Sequence, residues 1–341
     1  MSFHGKLKNF LIIIILAVLV VSWGSPVLAP TEVLRNQTKF LPTTTLVAVG
    51  DIMFSRHVGT KINEAGNPNL PFLKVADILS GADITFGNLE CPLSDSNVPI
   101  REGIVFRCLT QHAAGIKQAG FDALSTANNH SMDQGADNVD FTIEHLNSLA
   151  IAPVGTSKVN ESSKSAVIER NGIRFGFLAY SYTAHNDGGK STHPQIATMD
   201  ISQMNEDIAD LKNKSDAIIA SMHAGTEYTR KPNQGQIDFA HAAIDAGADI
   251  VIGHHPHWIQ EIEIYQGKPI FYSLGNFVFD QMWSQDTREG LAVKLEFQAS
   301  KLKSAELIPV VIDNYCCPRP ATEKEKISIL SKIKAKSYIK F

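Results

Sequence analysis

Between residues 44 and 312, short apolar runs alternate with stretches whose apolar positions recur every three or four residues. Six of the runs end in a polar side chain of metal-binding or catalytic type. They close at Asp51, Glu90, His130, His223, His257 and Asn276. Brief apolar runs bounded by Gly or polar residues predict buried strands. Gln111 to Gly120, Asn138 to Leu149, Ile201 to Lys212 and Gln234 to Gly247 have the spacing of amphipathic helices. Gly120-Phe-Asp-Ala-Leu-Ser, Ser215-Asp-Ala-Ile-Ile-Ala and Gly247-Ala-Asp-Ile-Val-Ile repeat one passage from helix end to strand. Helix and strand in regular succession predict α/β layers.

A second set of strands has no helices between its members. Ala166 to Arg170, Ile173 to Tyr180, Ile259 to Ile264, Pro269 to Ser273, Leu291 to Phe297 and Leu307 to Ile312 read as mostly antiparallel. Asn171-Gly172 and Gln266-Gly267 supply hairpin turns. Parallel and antiparallel runs in one domain predict two packed sheets flanked by helices. Residues 313–341 are set apart as a tail rich in Lys and Ser. Ile327, Leu330 and Ile333 there suggest a short peripheral helix.

The first 29 residues follow another rule. Lys6 and Lys8 precede an apolar run from Phe10 to Trp23, and Pro26 to Ala29 follow, the layout of a secretory signal. The run is shorter than the ~20 residues that span a bilayer comfortably. Cleavage after Ala29 would leave Pro30 next in line, so an uncleaved membrane anchor stays open. Residues 30–43 read as a linker and 44–312 as the folded domain, on a secreted or membrane-anchored protein of the extracytoplasmic face.

Composition narrows the classes. A hydrophobic share of 44% with 19% charged residues is that of a chain with a real core. The net charge of −4 gives no general attraction for nucleic acid. Four cysteines at 91, 108, 316 and 317 lack C-x-x-C spacing. Free thiols or incidental pairs are expected, with Cys91–Cys108 the one pair export could oxidise. There is no G-x-S-x-G elbow, P-loop or G-x-G-x-x-G, so serine-hydrolase, nucleotide-kinase and dehydrogenase readings lack support.

The polar strand ends carry the chemistry. Gly253-His254-His255-Pro256-His257 places three imidazoles within four positions after a buried strand, and imidazole is the commonest metal ligand. His255 and His257 are the favoured ligands, with His254 the alternative first one. Asp51, Glu90 (with Asn88 competing), Asn129 and His223 complete a mixed carboxylate, amide and imidazole set. Such donors suit one or two divalent ions of Mn, Fe, Zn or Mg rather than a thiolate site. His130 is the candidate general acid, protonating a leaving group. Arg56 and Arg107 could hold an anionic substrate through bidentate contacts, and Glu227 with Tyr228 would line the same mouth.

Taken in order, Val49-Gly-Asp-Ile-Met-Phe-Ser-Arg56, Phe86-Gly-Asn-Leu-Glu-Cys-Pro-Leu93, Phe106-Arg107, Gly120 to His130, Asp133-Gln-Gly135, His223 to Tyr228, Gly253 to His257 and Tyr272 to Asp280 resemble the CapA family of capsule or poly-γ-glutamate biosynthesis proteins. That resemblance implies a branch of the calcineurin-like metallophosphatases, with a four-layer α/β/β/α sandwich and a two-metal centre. It sets Asp51 as first carboxylate, Glu90 or Asn88 as bridge, Asn129 as ligand, His130 as acid, and His223, His255 and His257 as later ligands. Two positions depart from the family pattern. Asp51-Ile-Met53 replaces Asp-x-His, and Gly87-Asn88 replaces Gly-Asp. The resemblance further implies synthesis, export or anchoring of an anionic polymer, with membrane synthase subunits as partners. A free-standing metal-dependent hydrolase of phosphoesters or γ-glutamyl amides is the alternative, and a non-catalytic scaffold the third reading.

Overall fold

The fold was analysed in a computed structural model that describes residues 42–341, except 98, 100, 101 and 187. The N-terminal apolar run lies outside the described residues. Among those described, no helix is long and apolar enough to cross a membrane.

The chain opens with β1 (Thr43–Ile52), α1 (Arg56–Ala65), α2 (Ala76–Ser80) and β2 (Ile84–Leu89). Next come α3 (Thr110–Gln118), β3 (Ala123–Ser125), α4 (Ala136–Ser148) and β4 (Ala152–Val154). The middle holds β5 (Ala166–Arg170), β6 (Ile173–Ser181), α5 (Ile201–Lys212), β7 (Ala217–His223), α6 (Gln234–Ala246) and β8 (Ile250–His254). Then follow β9 (Ile262–Tyr265), β10 (Lys268–Phe271), β11 (Asn276–Val278), α7 (Gln285–Arg288) and β12 (Glu289–Gln298). The chain closes with β13 (Lys301–Asp313), β14 (Cys317–Pro320), α8 (Glu323–Lys332) and β15 (Tyr338–Lys340).

Two sheets result. One runs β14-β13-β12-β1-β2-β3-β4, with β11 paired to β1 and β15 to β13; the other runs β5-β6-β7-β8-β10-β9. Period-two alternation divides the side chains of each strand between two layers. Along β1, Leu46 and Ala48 face a cluster shared with Phe175 and Phe177 of β6 and Ile219 of β7, between the sheets. Val47 and Val49 join the cluster beneath α1 and α3. Along β7, Ile218, Ala220 and Met222 pack under α5 and α6. The layers are therefore helix, sheet, sheet, helix, a mixed α/β architecture with two sheets. Phe86 of β2 and Phe177 stack across the inter-sheet space with centroids 5.5 Å apart.

The predicted strands and helices recur with shifted ends. The run from Ile259 pairs as a strand from Ile262, and the Leu307 run extends back to Lys301. Residues 313–341, set apart as a tail, add β14 and β15 to the first sheet. They also place Ile329, Leu330 and Ile333 in the inter-sheet cluster. All four cysteines are paired, Cys91 with Cys108 and Cys316 with Cys317. Of the free thiols or incidental pairs expected from the sequence, the pairs are what the fold has; it brings together Cys91 and Cys108, the pair named as oxidisable, while Cys316 and Cys317 are chain neighbours.

Candidate metal centre

β1, β2 and β3 run parallel, as do β6, β7 and β8, so their carboxyl ends gather at one edge of the sandwich. Asp51 is next to last in β1, Glu90 follows β2, Asn129 and His130 follow β3, His223 closes β7, and His255 and His257 follow β8. Ligands in open α/β sheets collect at that end. Two glycines allow the approach. A Cβ on Gly50 would lie 1.9 Å from the Gly275 carbonyl oxygen, and one on Gly253 2.0 Å from that of Tyr272. Four candidate residues adopt the left-handed region, with φ of 49° at Arg56, 61° at Tyr228, 96° at His255 and 57° at His257. Strained backbone of this kind concentrates at functional sites.

The donors form two groups that share one carboxylate. Glu90, His223 and His255 each offer an atom within 4.8 Å of the others, and so do Asp51, Glu90 and His257. All five are buried. The Glu90 carboxylate has no hydrogen-bond partner on either oxygen. Its nearest imidazole atoms are His223 Nε2 at 3.8 Å and His257 Nε2 at 3.9 Å. A buried carboxylate left bare is costly unless a cation faces it. The donor set fits divalent ions held between these groups, with the identity of the ion left open.

Neighbouring amides orient the ligands. His257 Nδ1 lies 2.9 Å from Asn276 Oδ1, so that ring donates to the amide and turns the Nε2 lone pair toward Glu90. His223 Nε2 lies 2.9 Å from Asn129 Oδ1, which brings a fourth donor, an amide oxygen, to the Glu90–His223–His255 group. Asn88 donates to Asp51 Oδ1 at 2.8 Å, and its Nδ2 also lies 3.2 Å from His223 Nδ1. It therefore spaces ligands, while Glu90 keeps free oxygens. His254 Nδ1 sits 3.3 Å from Asp51 Oδ1, outside both groups of donors.

The electrostatics agree with this division. Burial, then the negative field of Asp51, pushes the Glu90 pKa well above normal. Burial alone would also raise Asp51, but close contacts with His254 and His257 outweigh it and hold that carboxyl well below normal. Burial, then the charge of His255, lowers His223. Burial, then the charge of His257, brings His255 down to about 3. The last two imidazoles are therefore neutral near pH 7, the form in which imidazole can ligate a metal.

His130 belongs to a different device. Its Nδ1 lies 2.6 Å from Asp133 Oδ2, and Phe106 stacks on the ring at 3.9 Å between centroids. Asp133 also accepts from the Phe106 backbone N–H at 2.6 Å. Asp133 stands in the Asp-Gln-Gly stretch but carried no expected role; three-residue spacing from His130 was the available clue. Arg56 pairs with Asp280, its guanidinium 4.8 Å from the centroid of Phe106 and 5.7 Å from that of Phe279. Tyr228 stacks on His257 at 6.0 Å and meets the exposed Trp283 at 4.8 Å. Glu227 beside it is exposed. Burial, then the charge of Glu227, pushes the Tyr228 phenol up to about 12. Arg107 joins through its backbone, whose N–H donates to Ser55 Oγ at 3.2 Å. Asp133, Phe106, Asp280 and Trp283 are the neighbours that strand-end reasoning did not supply.

The sequence model described as bacterial capsule synthesis protein PGA_cap matches residues 45–281. The chain belongs to that family. The capsule biosynthesis protein CapA of Bacillus anthracis is 32% identical over 291 residues, covering 82% of this chain and 69% of that one. The PGA biosynthesis protein CapA of Bacillus subtilis (strain 168) is 32% identical over 269 residues, covering 77% of this chain and 70% of that one. Among solved structures, a candidate 5′-nucleotidase from Staphylococcus aureus in complex with alpha-ketoglutarate superposes with a TM-score of 0.50. It is 13% identical, over 86% of this chain and 58% of that one. At that identity the likeness is one of fold, a metallophosphatase-like one. The family match ends at residue 281, so β12 to β15 and α8 lie beyond it.

Proposed function

We propose that this protein acts in synthesis, export or anchoring of a capsule polymer of the poly-γ-glutamate type, through a cleft that holds one or two divalent ions. Its capsule-synthesis relatives support the polymer role. The observation that carries the cleft is the bare, buried Glu90 carboxylate shared by two groups of donors. On this reading residues 1–29 anchor or export the chain, 30–43 link, and 44–312 carry the site.

Asp51, Glu90 and His257 would hold one ion, and Glu90, Asn129, His223 and His255 the other. Bound there, the ions supply Lewis-acid polarisation of a phosphoryl or acyl oxygen. The protein's own groups do the rest. Asp133 fixes the His130 ring and stabilises its protonated form, so that Nε2–H can donate to a departing oxygen or nitrogen. Arg56 offers a cation to an anionic substrate, and Tyr228 with Trp283 walls the mouth. The His130–Asp133 pair also favours a second reading, a free-standing metal-dependent hydrolase.

Purified full-length protein loaded with Mn, Fe, Zn or Mg is expected to shorten poly-γ-glutamate or turn over a phosphodiester, and a chelator should abolish this. Full rescue of polymer production in a deletion strain by His255→Ala would overturn the metal-centred reading.

Loading should also release protons. The raised Glu90 pKa means the metal-free site keeps a proton there above the ordinary carboxyl range, and a cation must expel it. Affinity therefore rises with pH. The same proton stabilises the metal-free fold below the ordinary carboxyl pKa, and that contribution fades as pH climbs through the raised value. Calorimetric titration in two buffers of different ionisation enthalpy reads the proton count, and zero release would contradict the assignment.

A further inference from the structure

Charge is unevenly shared along the chain. Residues 301–341 hold nine Lys or Arg against four Asp or Glu, a net of +5, so the remainder carries −9 of the total −4. This cationic segment lies beyond the family match. It folds along one side of the sandwich, where β15 pairs with Ser304 to Glu306 of β13.

Between this segment and β9 runs a groove of about 380 Å³. Its lining residues include Lys334, Lys336 and Lys340 and no carboxylate. All three lysines are exposed, and among the described residues none forms an ion pair. Ile264 and Tyr338, each 47% exposed, give the groove an apolar floor. Glu263 of β9, the nearest acid on that strand, is turned away to Tyr272 Oη at 2.5 Å and His241 at 3.1 Å.

We propose that this groove docks a linear polycarboxylate, a segment of the anionic polymer remote from the metal centre. The proposal rests on the polymer reading above and adds a second place of contact. An unneutralised lysine row on an otherwise anionic protein attracts polyanions locally. The carbon stems of the lysines and Tyr338 cover the methylene groups of a γ-linked chain. A concave tract fits a strand of polymer better than a flat lipid surface. Two contacts on one long chain raise its effective concentration at the cleft.

The test compares full-length protein with the triple variant Lys334→Glu/Lys336→Glu/Lys340→Glu, using long poly-γ-glutamate and γ-glutamylglutamate as probes. The long polymer should bind the native chain at least about tenfold more tightly than the dipeptide, with an affinity that falls as salt rises. The triple variant should lose that advantage while keeping its metal content and melting temperature. A second variant with glutamine at the three positions should lose part of it, which separates charge from misfolding. Equal polymer affinity in native and variant proteins would overturn the proposal. So would lysine-dependent binding to phosphatidylglycerol vesicles with none to polymer. Glu90→Gln should leave groove binding intact, so failure of the metal centre and failure of the groove read out separately.

Discussion

Replacing Glu90 by glutamine is expected to strip bound divalent metal from the purified protein and leave it folded. The carboxylate is the one donor common to both groups, and neither of its oxygens has another partner. Losing a residue that merely orients a ligand costs about 10–100-fold in metal affinity. Losing a shared ligand should exceed about 100-fold. The amide keeps the shape and removes a buried carboxyl that lacks compensation, so the metal-free melting temperature should hold or rise. Elemental analysis after metal-replete expression, with thermal unfolding alongside, reads both effects. Wild-type metal content in Glu90→Gln would show that the ions are held elsewhere.

His130→Ala should slow turnover about 10²–10⁴-fold, and the loss should depend on the leaving group. A p-nitrophenyl ester departs as a stable anion and needs little protonation, whereas an alkyl ester or a γ-glutamyl amide needs a proton. The deficit should be large for the latter and small for the former. Asp133→Asn should reproduce the pattern more weakly, because it removes the partner 2.6 Å from Nδ1 and leaves the imidazole in place. Equal losses across leaving groups would take His130 out of the acid role and make it a binding residue.

Tyr228 and Arg56 connect these expectations to substrate. Both have left-handed backbone, and both rest on aromatic or imidazole rings that touch the cleft. On the proposed reading Arg56, paired with Asp280, would be the cation facing an anionic substrate at the mouth. Arg107 contributes through the Ser55 contact that steadies the same loop.

The sequence by itself determined the strands that end in the candidate donors and the chemical type of those donors. β1, β2, β7 and β8 are apolar on both faces because each lies between a second sheet and a helix layer, so they read as uninterrupted runs. The residues closing them are carboxylates, amides and imidazoles, a composition legible without any geometry. Short strands were hidden for the opposite reason. β14 is Cys-Pro-Arg-Pro and β15 only three residues, and edge pairings like these depend on a neighbour rather than on local pattern.

Tertiary structure decided which donors face one another. Asn88 and Glu90 lie on the same side of an extended segment, and only the approach of Asp51 and His223 occupies one and leaves the other bare. His254, His255 and His257 are equivalent by composition. Positive φ at the last two bends the loop so that those rings, and not His254, join the groups around Glu90. Convergence of this kind is a property of two sheets packed face to face, which places side chains more than 150 residues apart in sequence within van der Waals reach. Local spacing carries no information about that distance.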